Sequence, residues 1–310
     1  MCDLMITDAA VLLPDGTVQS GQTIEVKDGK IYSIRPFRDS DMTGPAENHI
    51  SGKGKLVMPG LVDCHMHTGQ QLLKGKVLDE LPMIWTRIML PFESTLTEEK
   101  MELSASLAAL EMIKSGTTAF VDAGSYHMEA AAEVYVRSGL RGLLSASTMD
   151  EKGLPASIAQ NADEAVAQTD RLYDRYHGKG NLKVAYSLRS LISCSEELIR
   201  KTAERAKERG AKLQAHMNEY AGEVNFSLTN RRMRPFEYLD SLGVLNGDFL
   251  AAHCLLLSER EKEILAERDA KVCHCPFSNC GNGAPDTPSL REKGVCVGLG
   301  TDGAAHGGLS

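Results

Sequence analysis

Two histidines close an apolar run, Val57-Met58-Pro59-Gly60-Leu61-Val62-Asp63-Cys64-His65-Met66-His67. Side chains two apart on a strand share a face, so His65 and His67 leave the strand end together, spaced like a pair of metal ligands. Three later apolar runs end in groups of the same kind: Gln214-Ala215-His216-Met217-Asn218-Glu219, Ala251-Ala252-His253 and Gly300-Thr301-Asp302-Gly303. A lone histidine in such a run is most often a satisfied core residue. Several at the ends of successive strands form a nitrogen and oxygen donor set of borderline softness, which suits Zn²⁺ or Fe²⁺. An ion of that kind brings the pKa of water to near neutrality and makes hydroxide available.

Groups so far apart in the chain meet only if the strands carrying them are parallel and neighbouring. From Val57 onward apolar strands alternate with amphipathic helices. Strands are expected at Leu61–His65, Thr118–Ala123, Gly142–Ala146, Leu182–Leu188, Lys212–His216, Phe249–His253, Lys271–His274 and Val295–Gly300. The segment 97–115 opens Thr97-Glu98-Glu99, repeats Leu103, Leu107 and Leu110 at helical spacing, and stops at Gly116. Ser193 with Glu196, and Ser258 with Glu261, have capping-box spacing. Pro235 suits a first turn, in a helix that closes at Gly243. Eight strands with seven connections are the pattern of an α/β fold of the (β/α)8 TIM-barrel type, whose active sites lie at the C-terminal strand ends. Residues 1–56 read as short β-strands with turns at Pro14-Asp15-Gly16 and Asp28-Gly29, and are expected to be part of a small β-sandwich. The barrel is expected over 57–310. No segment follows the eighth strand to supply a last helix or to complete the sandwich, so the sequence reads as C-terminally truncated.

Taken together, Pro59-Gly60-Leu61-Val62-Asp63-x-His65-x-His67, His216-x-x-Glu219, Ala252-His253, His274-Cys275-Pro276-x-Ser278-Asn279 and Gly300-Thr301-Asp302 resemble the motifs of the amidohydrolase superfamily. The nearest likeness is to its cytosolic deaminase and chlorohydrolase branch, which includes methylthioadenosine/S-adenosylhomocysteine deaminases, guanine deaminases and triazine hydrolases. The resemblance implies His65, His67, His216 and Asp302 as metal ligands, with Glu219 and His253 as catalytic groups. Hydroxide would attack a ring carbon bearing an amino group. Glu219 would protonate the adjacent ring nitrogen, and His253 and Asp302 would orient the water and move its proton to the departing ammonia. Binuclear relatives bridge two ions through a group at the end of strand four. Here that strand ends Ser187-Leu188-Arg189-Ser190 and Lys183 lies at its beginning, so one ion is expected.

The substrate is expected to be a small N-heterocycle, an amino-substituted purine or a related fused ring. The long connection Thr68 to Leu96 reads as a substrate lid. Within it Trp85 resembles a wall of the nucleoside site and Glu93 the position that meets ribose hydroxyls. Arg141 resembles another position of that pocket. Arg189 departs from the Pro-His-Ser pattern of the nucleoside deaminases and resembles the arginine that faces a ring carbonyl in guanine and pterin deaminases. His306 also departs from the nucleoside pattern. Two rival readings keep the fold: displacement of chloride or an alkylamine from a triazine, or hydrolysis of a ring amide. A third is a barrel without chemistry that serves as a scaffold. In Cys273-His274-Cys275 alternation puts the cysteines on one face and the histidine on the other, so the three cannot grip one ion.

Composition removes other classes. Lysine plus arginine number 34 against 42 acidic residues, a net charge of −8, and aromatics are 5 % of residues. With no basic stripe, nucleic acid is not an expected partner. No apolar run is long enough to span a bilayer, and Met1-Cys2-Asp3-Leu4 is not a signal peptide. Eight cysteines without paired spacing suit reduced thiols. A cytoplasmic homo-oligomer without membrane contact is expected.

Overall fold

The computed structural model describes residues 2–77, 84–279 and 282–303. It divides into two compact units, Met1–Gly60 and Leu61–Ser310. The first is a five-stranded sheet of β1 (Cys2–Leu12), β2 (Val18–Lys27), β3 (Lys30–Pro36), β4 (Ala46–Ser51) and β5 (Leu56–Val57). The order is β3-β2-β1-β4, with β5 also paired to β1. The hairpins β1–β2 and β2–β3 are antiparallel, whereas β4 and β5 run parallel to β1. Ala9, Val11 and Ile24 form its small core. Asp41, buried, accepts from Thr23 Oγ1 at 2.8 Å and from both Arg35 amino groups, a bidentate pair that ties the 3₁₀ turn after β3 back to the sheet.

The second unit is α/β. Its strands are β6 (Leu61–His67), β7 (Thr117–Asp122), β8 (Arg141–Leu144), β9 (Leu182–Val184), β10 (Tyr186–Leu188), β11 (Leu213–Met217), β12 (Phe249–His253), β13 (Lys271–His274), β14 (Val297–Leu299) and β15 (Asp302–Gly303). They form two sheets, β15-β6-β7-β8-β9 and β10-β11-β12-β13-β14, parallel throughout. The expected strand 182–188 is therefore two strands, because Ala185 turns from one sheet to the other. Its N–H bonds Leu144 O, and the next N–H bonds Lys212 O. Val297 to Gly303 makes the same change of partner: the Gly300 N–H bonds His274 O, and Asp302 pairs with Met66.

Helices punctuate the strands: α1 (Leu90–Glu93), α2 (Glu98–Ser115), α3 (Met128–Ser138), α4 (Ala162–Tyr176), α5 (Glu196–Glu208), α6 (Ala221–Arg231), α7 (Pro235–Ser241), α8 (Glu259–Glu267), α9 (Pro276–Asn279) and α10 (Thr287–Glu292). Thr97 caps α2 and Gly116 ends it in the left-handed region, as the spacing predicts. Leu103, Leu107 and Leu110 lie exposed, however. The buried face of α2 is the small-residue stripe Ser104, Ala105, Ala108 and Ala109, flanked by Met101 and Met112. Small side chains let the helix approach closely, and leucine spacing alone does not say which stripe turns inward. Ser258 and Glu261 form the expected capping box. The cap of α5 is Ser195 rather than Ser193, because Asp150 fixes the Ser195 N–H at 2.7 Å and leaves Ser195 Oγ to accept from Leu198.

Two large apolar clusters fill this unit. One joins Tyr186, Met217, Phe236 and Phe249 to α5, α7 and α8; the other joins Met101, Phe120, Tyr135 and Leu144 to α2, α3 and α4. Among the described residues, no helix is long and apolar enough to cross a membrane.

Candidate active site

The C-terminal strand ends bring four imidazoles and a carboxylate into contact. His65 and His67 come from β6, His216 from β11, His253 ends β12 and Asp302 opens β15. Asp302 Oδ1 lies 3.4 Å from His65 Nε2 and 3.2 Å from His67 Nε2. The Nε2 atoms of His67 and His216 are 3.1 Å apart, and the centroid of the His65 ring is 4.8 Å from that of His216 and 5.2 Å from that of His253. One nitrogen each from His65, His216 and His253 lie within 4.8 Å of one another, as do ligand atoms of Glu219, His253 and Asp302. All five side chains are buried.

Local bonds explain why these groups meet. Asp63, two residues before His65, accepts from the His65 N–H at 3.2 Å, the Thr301 N–H at 3.0 Å and Thr301 Oγ1 at 2.6 Å. One buried carboxylate thus fixes the strand of His65 against the segment that carries Asp302. Gly300 allows the approach: a Cβ there would come within 2.8 Å of His65 O and 2.9 Å of His65 Cβ. Gln214, facing inward on β11, donates to Asp122 O at 2.7 Å and Ser145 Oγ at 2.6 Å and braces the strand below His216. The chain then turns sharply at several of these residues. Asn218, His253, Cys254 and Asp302 all have positive φ, between 52° and 75°, a conformation that side chains adopt at a cost and that gathers at functional sites.

Electrostatics sorts the imidazoles. Burial, reinforced by the Arg189 guanidinium, pushes His67 down to about 3, and burial drives His216 well below its ordinary value. Both are neutral bases with lone pairs to donate. Burial pulls His253 down as well, but the carboxylates of Glu219 and Asp302 outweigh it and hold it above the ordinary value. Burial would raise Asp302, yet His65 and His67 keep its carboxyl well below the usual carboxylate range. His65 Nε2 and His253 Nε2 are buried without a hydrogen-bond partner, an expensive arrangement in a protein interior. Converging nitrogen bases with unused lone pairs beside an anionic oxygen fit a divalent cation of Zn²⁺ or Fe²⁺ type.

Glu219 lies just past β11 with Oε2 3.8 Å from His253 Nε2. His253 Nδ1 meets Asn279 Oδ1 at 3.0 Å, which orients the ring. A pocket of about 50 Å³ opens here, lined by His67, Trp85, Arg189, Glu219, His253 and Asp302 among others. Glu93 is buried outside that lining. Its Oε1 accepts from Gln70 Nε2 at 2.6 Å and pairs with Arg189 Nη2 at 3.5 Å, and Oε2 has no partner. Arg189, at the end of β10, also places Nη1 3.3 Å from His67 Nδ1 and its guanidinium 5.6 Å from the Trp85 ring centroid.

Arg141 does not belong to this group. It is the exposed first residue of β8, level with Ala119 and hence with Val62, three residues before His65. A strand end resembling a pocket position by sequence is here the end remote from the imidazoles. His306 lies outside the described residues.

Four contributors carried no sequence signal of their own. Asp63 and Asn279 stood inside motifs without a role. Cys275 shares a cluster with His65 and Asp302, their ligand atoms within 4.8 Å. Glu223 sits in the first turn of α6, fully buried, where its Oε2 accepts from the Glu219 N–H at 3.0 Å. Burial pushes Glu223 up to about 8 from 4.5. A carboxyl raised on folding stabilises below its unfolded pKa and loses that contribution as pH rises through the folded one. Glu223→Gln should therefore gain stability over the wild type between pH 4.5 and about 8, by on the order of 5 kcal/mol at the upper end. Urea midpoints of both proteins across that range measure it, and parallel curves would contradict it.

A pentad of this composition at the ends of parallel strands is a donor set suited to a divalent metal. The chain belongs to the amidohydrolase family, whose model matches residues 56–310. It is 33 % identical to a 5′-deoxyadenosine deaminase of Methanopyrus kandleri, over 97 % of this chain and 70 % of that relative. It is 31 % identical to a 5-methylthioadenosine/S-adenosylhomocysteine deaminase of Haloarcula marismortui, over 98 % of this chain and 70 % of the relative. The crystal structure of an adenosine deaminase from Xanthomonas campestris with bound zinc superposes with a TM-score of 0.91 at 29 % identity, covering 98 % of this chain and 70 % of that one. A guanine deaminase from C. acetobutylicum with bound guanine superposes at 0.88 with 24 % identity, covering 99 % and 76 %, a likeness of fold.

Proposed function

We propose that this chain hydrolytically deaminates an amino-substituted purine or a related N-heterocycle, with one divalent metal held by His65, His67, His216 and Asp302. The observation that carries the reading is the contact of those four groups with each other, next to a Glu219–His253 pair. The adenosine-type deaminases among its relatives support the same class of substrate. When bound, the ion supplies hydroxide at neutral pH; zinc is the first choice and iron the second. Glu219 holds the proton that goes to the ring nitrogen beside the reacting carbon. His253 takes the proton released by water, and Asp302 orients that water before the proton passes to the leaving amine. Lys183 is exposed on β9, away from the strand ends, which supports a single ion.

The two parallel sheets, sharing their partners at Ala185 and around Gly300, are proposed to form one eight-stranded barrel. The N-terminal sheet exposes Ile31, Tyr32, Ile34 and Ile50, apolar surface of the sort a second sandwich layer covers. Trp85 and its segment are proposed as the lid. Ile84, Trp85 and Met89 of that segment line the pocket beside the imidazoles, which supports that reading. The described cysteines are all free thiols, which supports a reducing compartment; a homo-oligomer in the cytoplasm remains part of the proposal.

Two substrate types are separable. Buried Glu93 favours a nucleoside, as a hydroxyl acceptor whose second oxygen lacks a partner. Buried Arg189 favours a ring bearing a carbonyl, as in guanine or pterins. Ammonia release from adenosine, S-adenosylhomocysteine, guanine and isoxanthopterin tests the function. Release from none of them, by metal-loaded protein, would overturn it. If the nucleoside reading holds, Glu93→Gln should lower kcat/KM for adenosine-type substrates by roughly 100-fold, with little change for a free base.

A further inference from the structure

We propose that Glu223 is a positioning residue for the general acid: its carboxyl fixes the peptide unit that aims the Glu219 side chain toward His253 and the reacting ring. This rests on the reading of Glu219 as the acid. Glu219 has few ties of its own. Its side chain is partly exposed, and among the described residues its carboxyl has one ion-pair neighbour, His253 Nε2 at 3.8 Å. That is too long for a hydrogen bond, so the backbone sets where the side chain points.

The peptide unit joining Asn218 to Glu219 is held at both edges. Its oxygen, Asn218 O, accepts from the N–H groups of Leu255 and Leu256, each at 3.1 Å, in the loop that follows His253. Its N–H donates to Glu223 Oε2 at 3.0 Å. The oxygen and hydrogen of a trans peptide point opposite ways across a rigid plane. The two contacts therefore clamp that plane between the loop after β12 and the first turn of α6. Asn218 has a further tie on the same side, since its Nδ2 donates to Leu256 O and Glu261 Oε1, both at 3.1 Å. On the other side, among the described residues, the N–H has Glu223 alone.

Helix α6 delivers that oxygen by a variation on capping. Tyr220, its extended N-cap, makes no side-chain cap bond. Glu223 is the third residue of the helix, a place from which a glutamate folds back over the N-terminus, and here it reaches one residue past the cap. It is buried and lines the same pocket as Glu219 and His253, with Oε1 unpartnered. Without Oε2 the peptide keeps its oxygen contacts but can pivot about them, which swings the Glu219 Cα–Cβ bond away from His253. A shift of about 1 Å in a reacting group costs on the order of 100-fold in rate.

The test uses the full chain loaded with Zn²⁺ and measures ammonia release from whichever of adenosine, S-adenosylhomocysteine, guanine and isoxanthopterin the wild type turns over. Glu223→Gln retains an acceptor and should keep the wild-type kcat. Glu223→Met has similar length without the acceptor, and its kcat should fall roughly 100-fold with KM and zinc content unchanged. The lesions should not add: Glu219→Gln combined with Glu223→Met should be as slow as Glu219→Gln alone, because a residue that acts only through the acid is silent once the acid is gone. Wild-type kcat in Glu223→Met, a Glu223→Gln variant equally slow, or a further loss in the double variant overturns the positioning role and leaves the acid role standing. Turnover unchanged by Glu219→Gln overturns the acid role and this inference with it. If Glu223→Met does not fold with its zinc, Glu223→Asp, a methylene short of the N–H, is judged by the same comparisons.

Discussion

Glu219→Gln is expected to keep its metal and lose turnover by about a thousandfold, the range of a general acid removed from its reaction. Glutamine preserves the size of the side chain and its contact with the pocket, but it has no acidic proton to give the ring nitrogen. The contact at risk is with His253, 3.8 Å away; the four proposed ligand groups are unchanged. The backbone stays in place because the Glu219 N–H bonds Glu223 and Asn218 holds its left-handed turn. Ammonia release and metal content, measured on the same preparation, check the result. An unchanged kcat would remove Glu219 from the acid role, and loss of metal would make it a ligand instead.

Removal of the metal should be the second large effect. Chelation is expected to abolish ammonia release, and stoichiometric Zn²⁺ to restore it. Stability should fall with it. An ion present at a thousand times its dissociation constant stabilises the folded chain by about 4 kcal/mol. Without it, the Nε2 atoms of His67 and His216 stay 3.1 Å apart and His65 Nε2 has Asp302 Oδ1 beside it at 3.4 Å. Thermal unfolding with and without chelator measures the difference. Equal midpoints together with full activity after chelation would exclude a metal enzyme. His216→Ala should mimic chelation and resist rescue by zinc.

How far the sequence reaches is clearest strand by strand. Phe249–His253 and Lys271–His274 were expected with the bounds they have, because an apolar run that ends on a polar group states both its burial and its stopping point. The imidazoles and Asp302 were legible for that reason. Ala185 was not, since nothing in Leu182 to Leu188 breaks the strand pattern at that residue and only the partners on either side decide where a strand changes sheet. The inward face of α2 was hidden by its own leucines, because helical spacing marks a stripe without saying which neighbour it meets. Asp63 shows the limit most plainly: its partner Thr301 is 238 positions away, and nothing local to either residue announces the bond. Glu223, Asn279 and Cys275 took their places by the same long-range packing, and Arg141 lost its expected place through it.

The left-handed turns at His253 and Asp302 carry a consequence for any attempt to harden this enzyme against heat. Glycine would relax such a backbone, but at these two positions it would delete the imidazole or the carboxylate on which the proposed chemistry relies. Asn218 and Cys254 have the same backbone and no assigned reactive role. Glycine at 218 would nonetheless delete an amide that donates to Leu256 O and Glu261 Oε1, both at 3.1 Å, and at 254 a thiol buried in the core, so the bent backbone is held at all four positions by what its side chains do.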